Sequence, residues 1–406
     1  MILFQVIAKK TLFLPIVILF VSFLFLSPAF SETKISLKDA FLEGDLSGTV
    51  GTYYEYTRQN PNSNFGWATS YLGLKYETKP LNNLNFGAKL FAHGRIYSYS
   101  QDPLTVPYDR DIETKVTLPE LYFSYSFFLN TRIVAGRYAH SRITHIDDAQ
   151  SQGAYISFGE IETLRFLTGF MLRFAEIDYD DSEDFGRNNN SQDLSDNVFY
   201  GEDSSPYLMF LEAVWEPSDL VTLNPYFMRQ DSYAGVYGFD LDLEKKMEEY
   251  AITYGARFSF YHVASEIESY RDSNNFSLFP YLRKGPIELT LGYAAFDDGN
   301  ALNKPLWFSD YFTVLDQQAG YANPDSEKIF AKIKFIKGKF WAHCAYGDNN
   351  YDLSLTDGRS SQEYEFQLGY QVTSSIDFNL RLFNVEYQEV NDRDYQKVET
   401  RLRLKF

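Results

Sequence analysis

A single cysteine, Cys344, in 406 residues leaves no partner for a disulfide framework and no thiolate cage for a metal. No basic cluster relieves a formal net charge of −18, which excludes a nucleic-acid surface, because phosphates demand a positive footprint. Histidine is scarce, and none of His93, His140, His145, His262 and His343 sits in a nucleophile motif or at a zinc spacing. Beyond residue 31 no apolar run is long enough to cross a bilayer as a helix. Aromatic residues, in contrast, are abundant: 36 Phe, 32 Tyr and 4 Trp make up 18% of the chain, which argues against disorder.

Residues 1–31 read as a cleaved secretory signal, with Lys9 and Lys10, an apolar run from Leu12 to Leu26, and Ala29-Phe30-Ser31 as a small-residue cleavage site. The run is short and holds Pro15, which argues against the alternative, a spanning helix. No cysteine follows the cleavage site, so lipid attachment there is not available. Cleavage removes two lysines and no acids, leaving 35 bases against 55 acids, a net −20. Residues 32–45 are then a periplasmic lead-in and residues 46–406 one barrel domain, with no plug-sized domain ahead of it.

The dominant pattern is alternation of period two in segments of about ten residues. In the last segment Lys397, Glu399, Arg401, Arg403 and Lys405 share one face, and Val398, Thr400, Leu402, Leu404 and Phe406 share the other. Soluble sheets also alternate. A membrane barrel needs the apolar parity to stay clean through mid-strand, because an Arg or Lys facing the bilayer midplane costs about 2–4 kcal/mol. Leu84, Phe86, Ala88, Leu90 and Ala92 against Asn85, Gly87, Lys89, His93 and Arg95 meet that demand. The fold class is therefore all-β, a transmembrane antiparallel β-barrel with short periplasmic turns, longer extracellular loops, aromatic girdles and both chain ends in the periplasm.

The expected strands are 46–58, 65–79, 84–98, 115–128, 131–140, 153–159, 163–177, 205–216, 221–229, 250–260, 264–272, 276–283, 286–296, 328–336, 338–348, 362–372, 376–389 and 395–406. They number eighteen, with sixteen as the alternative if 153–159 and 264–272 fall away. Long polar stretches at 99–114, 178–204, 230–249, 297–327 and 349–361 read as loops on one side. Stretches 273–275 and 390–394 read as short loops on that side.

Several segments look familiar. Leu37-Lys38-Asp39-Ala40-Phe41 with Gly44 and Leu46-Ser47-Gly48, and then Tyr71 to Thr78, resemble the opening of OprD-like (Opr family) outer-membrane porins. Gly136-Arg137, ending a strand ahead of a mid-length loop, resembles that family's entry to its constriction loop. The terminal strand Tyr395 to Phe406, ending on an aromatic, resembles the signal read by the outer-membrane barrel assembly machinery. The resemblance implies an eighteen-stranded barrel with a pore in each monomer, located in the bacterial outer membrane.

A pore of this kind works through fixed charges along its bore, without a cofactor, metal or nucleophile. Arg165, Arg173, Arg257, Lys332, Lys334, Arg381, Arg401 and Arg403 have inward parity and form an expected basic track, suited to carboxylates. Glu55, Glu77, Glu120, Glu266, Glu268, Glu288, Glu363 and Glu365 form an expected acidic wall facing it. Arg137 together with the stretch 140–152, which carries His140, Arg142, His145, Asp147 and Asp148, is the expected constriction. Asp178, Asp180, Asp181, Glu183 and Asp184 make loop 178–204 acidic, but Glu183 and Asn189 stand where a calcium loop needs Gly and Glu. The expected function is passive diffusion of small hydrophilic solutes and ions, to which the family resemblance adds some selectivity for anionic or carboxylate-bearing nutrients. Expected partners are outer-membrane lipid, lipopolysaccharide and the assembly machinery, with the chain a monomer or homotrimer. Competing readings are a non-conducting adhesin or structural barrel, and a barrel hydrolase.

Overall fold

The computed structural model of the chain describes residues 36–59, 63–100, 115–139, 145, 150–175, 207–231, 233–266, 270–297, 326–351, 359–387 and 394–406. A short helix, α1 (Leu37–Leu42), is capped by the Ser36 hydroxyl and precedes β1 (Asp45–Gln59). β2 (Ser63–Glu77), β3 (Leu84–Ser100), β4 (Lys115–Ser126), β5 (Arg132–Ala139), β6 (Gln150–Ile161), β7 (Leu164–Ala175), β8 (Leu208–Ser218) and β9 (Val221–Gln230) follow. The second half holds β10 (Ala234–Met247), β11 (Ile252–Ser265), β12 (Ser273–Lys284), β13 (Ile287–Phe296), β14 (Ser326–Lys337), β15 (Phe340–Tyr351), β16 (Arg359–Gln371), β17 (Ile376–Tyr387) and β18 (Tyr395–Lys405). Each strand pairs antiparallel with the next, and β18 pairs with β1, so eighteen strands close without an edge.

The strand number agrees with the sequence expectation through two compensating errors. The stretch 230–249, expected as a loop, holds β10 (Ala234–Met247), whereas of the expected strands 250–260 and 264–272 the described residues form one strand, β11, which ends at Ser265. The expected short loop at 273–275 lies inside β12. The first and last described residues, Ser36 and Phe406, lie at one end of the barrel, the turn end, where successive strands are joined by 162–163, 219–220, 285–286, 338–339 and other brief links. At the opposite, loop end the joining stretches include 101–114, 140–149, 176–207 and 297–325, although 60–62 and 231–233 are short there too.

Parity sorts the side chains. Leu90, Phe123, Leu211, Leu243, Leu278, Leu289, Ile333, Leu382 and Leu402 point outward and are exposed around the wall. An apolar band that encircles the molecule has no place in water; it is the surface of a barrel immersed in lipid. Inward stand most of the ionisable groups, many of them nearly buried among their neighbours.

Glycine shapes the inner wall. Gly51 faces Tyr71, Gly87 faces Tyr122, Gly238 faces Tyr226, Gly255 faces Tyr281, Gly292 faces Phe330 and Gly369 faces Trp341, each directly across a strand pair. At each of these six glycines an added Cβ would collide with the facing aromatic side chain. The missing side chain makes a hollow in which the ring can lie, as in aromatic rescue of strand glycine.

Helix α1 docks at the turn end. Phe41 packs near Tyr76 and Phe86, the Lys79 amide donates to the Ala40 carbonyl, and Lys79 Nζ reaches Asp45 at 2.8 Å.

Candidate functional site, a charge-lined bore

Strand register places the bases of β17 and β18 on the inner face in a vertical ladder. Lys397 Nζ lies 3.0 Å from Glu55 Oε2 and 2.8 Å from Glu399 Oε1, while Arg381 Nη1 donates to Glu399 Oε2 at 3.2 Å. Below them Arg403 Nη2 meets Asp377 Oδ2 at 2.9 Å and Lys405 reaches the same oxygen at 3.3 Å. Arg401 lines a recess of about 120 Å³ with Tyr53, Asn379, Arg381, Glu399 and Thr400. Lys397, Arg381, Arg401, Arg403 and Lys405 thus outnumber Glu55, Glu399 and Asp377, leaving this stretch of wall net positive.

Acids and bases interleave elsewhere too. Lys75 and Lys89 converge on Glu120 at 3.2 and 3.7 Å, Arg283 on Glu288, Arg257 on Asp242 at 3.1 Å, and Arg165 on Glu216 at 3.4 Å. His343 lies 2.9 Å from Glu365. Lys332 and Lys334 face inward on β14, and Glu363 does so on β16.

These contacts redraw the expected walls. Glu55, Glu77, Glu120 and Glu365 each stand beside a base, because cross-strand neighbours on one face lie close enough to pair. Glu266 lies past the end of β11, 2.8 Å from Arg229, and Glu268 falls outside the described residues. Arg173 sits beside a register shift between β6 and β7. A further run of inward acids, a second acidic wall, lies along β8 to β10 as Glu212, Glu216, Asp240, Asp242 and Glu244, of which Glu216 and Asp242 also meet bases, Arg165 and Arg257. In the closed strand order β9 is nine steps from β18 either way round, so this acidic wall and the basic ladder lie opposite each other. Three of its five acids lie in the segment expected as a loop.

Of the expected constriction residues, His140, Arg142, Asp147 and Asp148 fall outside the described residues, as does the acidic stretch within 178–204. Arg137 lies on β5, on the parity of Ile133 and Ala135 and opposite to the inward Val134 and Tyr138, with its Nη1 3.5 Å from the Leu118 carbonyl. It belongs to the wall and not to the loop.

His145 is placed, and it is inside. It is 2% exposed, with Nε2 2.7 Å from Asp240 Oδ2, Nδ1 3.4 Å from Glu212 Oε1, and its ring stacked on Tyr226 at 3.7 Å between centroids. Burial opposes its protonation, but the hydrogen bonds and charges of Asp240 and Glu212 outweigh that, and its pKa is raised to about 9. An inward apolar cluster that includes Met171, Phe210, Met228, Val236 and Tyr261 surrounds this point.

A closed eighteen-strand barrel with lipid outside and charges inside is the architecture of outer-membrane porins. Among solved structures the fold is that of the OprD and Occ porins. Pseudomonas aeruginosa OpdQ superposes with a TM-score of 0.73 at 12% identity, over 90% of this chain and 99% of its own. Acinetobacter baumannii OccAB1 gives 0.73 at 12% identity over 93% and 99%, and Pseudomonas aeruginosa OprD gives 0.68 at 12% over 93% and 99%. No protein-family model and no curated protein matches the sequence.

Proposed function

We propose that the chain is an outer-membrane porin through which small hydrophilic solutes and ions diffuse passively, with a preference for solutes that bear a carboxylate. The reading rests on one observation above all, the net positive ladder of Lys397, Arg381, Arg401, Arg403 and Lys405 on the inner wall. Guanidinium groups bind carboxylates through two parallel hydrogen bonds and keep their charge at any working pH. In this reading the turn end faces the periplasm, residues 1–31 export the chain, and terminal Phe406, whose backbone pairs with Gly48, belongs to the signal for assembly. The wall needs no cofactor and performs no covalent chemistry.

The test is the single-channel conductance and reversal potential of the purified protein in a planar bilayer under a salt gradient. Stable open steps with a reversal potential on the anion side support the proposal. Cation preference keeps the pore and transfers selectivity to the acids of β8 to β10. A folded barrel without conductance rejects the porin reading in favour of a non-conducting adhesin or structural barrel.

A further inference from the structure

Lipid makes a charge on the outer wall expensive, yet two arginines stand there as near neighbours toward the loop end. Arg137 of β5 and Arg173 of β7 each lie directly across from Gln152 of β6, one on either side. Their backbones are therefore about 10 Å apart, two inter-strand spacings. The next row shows which way this one faces. Tyr138 and Ser151 are register partners and both buried, and Ser151 Oγ donates to Met171 Sδ on the inner side. Arg137, Gln152 and Arg173 alternate with them and take the outer face. Each lies two positions from the loop end of its strand, at Ala139, Gln150 and Ala175.

The outward aim of Arg173 depends on an inserted residue. The register between β6 and β7 shifts so that Gly153 faces Met171 while Gln152 faces Arg173, which leaves Leu172 as the extra residue of a bulge. Met171 is fully buried on the inner face. Under unbroken alternation Arg173 would share that face and join the basic track expected from the sequence. A bulge interrupts the ladder, and here its result is an arginine moved from the bore side to the lipid side. Arg137 leans toward the same interface. Its Nη1 lies 3.5 Å from the carbonyl of Leu118, three residues nearer the loop end than Leu121, its register partner on β4. An arginine stem laid over an apolar wall with its head drawn to the boundary is snorkelling. Around the pair the outward positions are Leu118, Leu121, Ala135, Ala154, Phe170 and Leu172.

We infer that Arg137, Gln152 and Arg173 form a docking site on the outer wall for the phosphorylated headgroup of an outer-leaflet lipid, whose acyl chains lie along the apolar wall below. Charge and surroundings choose the occupant. Guanidinium forks hold phosphate oxygens bidentately, the Gln152 carboxamide adds a donor between them, and the adjoining leucines and Phe170 offer acyl chains a surface. Arg229 of β9, outward at the same end, is held by Asp231 at 2.9 Å and Glu266 at 2.8 Å and serves as a control. The inference goes beyond the pore and rests on the porin reading only for orientation, with the loop end at the outer leaflet.

The test is native mass spectrometry of the full-length folded barrel in detergent, with EDTA present so that no divalent cation bridges lipid to acids. The barrel is titrated with diphosphoryl lipid A and with the same lipid stripped of its phosphates. The parent is expected to retain the phosphorylated lipid about tenfold more strongly than the stripped one. Arg137→Gln combined with Arg173→Gln is expected to lose that difference, the corresponding double lysine variant to recover part of it, and Arg229→Gln to keep it. Equal retention of the two lipids by the parent overturns the proposal. So does a double glutamine variant that migrates as a folded barrel and binds like the parent; should it fail to fold, the two single variants are read in the same way. Inorganic phosphate binding as tightly as the lipid overturns the lipid as occupant. A lipid-free parent that runs as a multimer where the double variant runs as a monomer does so too, in favour of an interface between copies. Binding is read without current, so a barrel that fails to conduct removes the porin reading and leaves this test standing.

Discussion

Lys397 shows how the inner wall tolerates so many charges. Its ammonium is shared by Glu55 and Glu399, and the three side chains are 20%, 9% and 6% exposed. Replacing it with methionine leaves two carboxylates close together without their common cation, and losing one partner of a buried pair costs about 3–5 kcal/mol. Lys397→Met is expected to lower the denaturant midpoint of the folded barrel, and Lys397→Arg to leave it nearly unchanged, as read by urea titration of heat-modifiable migration. Gly292 makes the complementary point about space. Gly292→Val forces a branched side chain into the hollow that holds the Phe330 ring, and overpacking of this kind costs about 1–3 kcal/mol. The same assay is expected to show a loss at Gly292, while Gly285, a turn glycine with nothing around its Cβ position but a φ of +55°, registers only backbone strain.

At the level of the strand, alternation carried most of the fold. β16 and β18 were plain in the sequence, because each shows apolar residues at nearly every second position and mostly polar residues between them. β10 was hidden by its own charge. Asp240, Asp242, Glu244, Lys245 and Lys246 make 230–249 look like a polar loop, yet Tyr237, Phe239, Leu241 and Leu243 hold the outward parity throughout. Charge density masked the period, and an acidic wall is a place where charge density must be high. His145 could be read as a constriction residue from its position after Gly136-Arg137, but its partners lie about 70 to 95 residues further along, and nothing local encodes such a contact. Cysteine scanning checks β10 directly in a Cys344→Ser background, Cys344 being exposed on the outer parity. Asp242→Cys and Glu244→Cys are expected to react with a charged thiol reagent added to the open pore, and Leu241→Cys and Leu243→Cys to resist it. Equal labelling at all four would return the segment to a loop.

For the whole molecule, the arrangement of charge matters more than its sum. The chain carries −18 overall, yet the ladder of β17 and β18 is net positive and lies across the bore from the acids of β8 to β10. Under the proposed function, a solute in transit meets a transverse field between these walls. Reversing Arg401 and Arg403 together to glutamate is expected to lower the anion-to-cation permeability ratio severalfold at low salt. The difference should shrink in 1 M salt, where charges are screened beyond about 3 Å. A ratio unchanged at every salt concentration would place selectivity elsewhere. The six glycine and ring pairs also have a consequence at this scale. Each of them joins strands that are consecutive across the loop end: β1 with β2, β3 with β4, β9 with β10, β11 with β12, β13 with β14 and β15 with β16. Across the turn end, links such as 162–163 and 285–286 are so short that the turn itself dictates which residues face each other. A stretch as long as 297–325 dictates nothing of the kind. There the ring acts as a key and the glycine as its keyway: moving Phe330 two places along β13 sets it against Thr290 or Ala294, each with a Cβ in the way. The keys therefore check the alignment of six hairpins as the barrel is sewn shut, and across stretches as long as 101–114 and 297–325 they do so where no tight turn sets it.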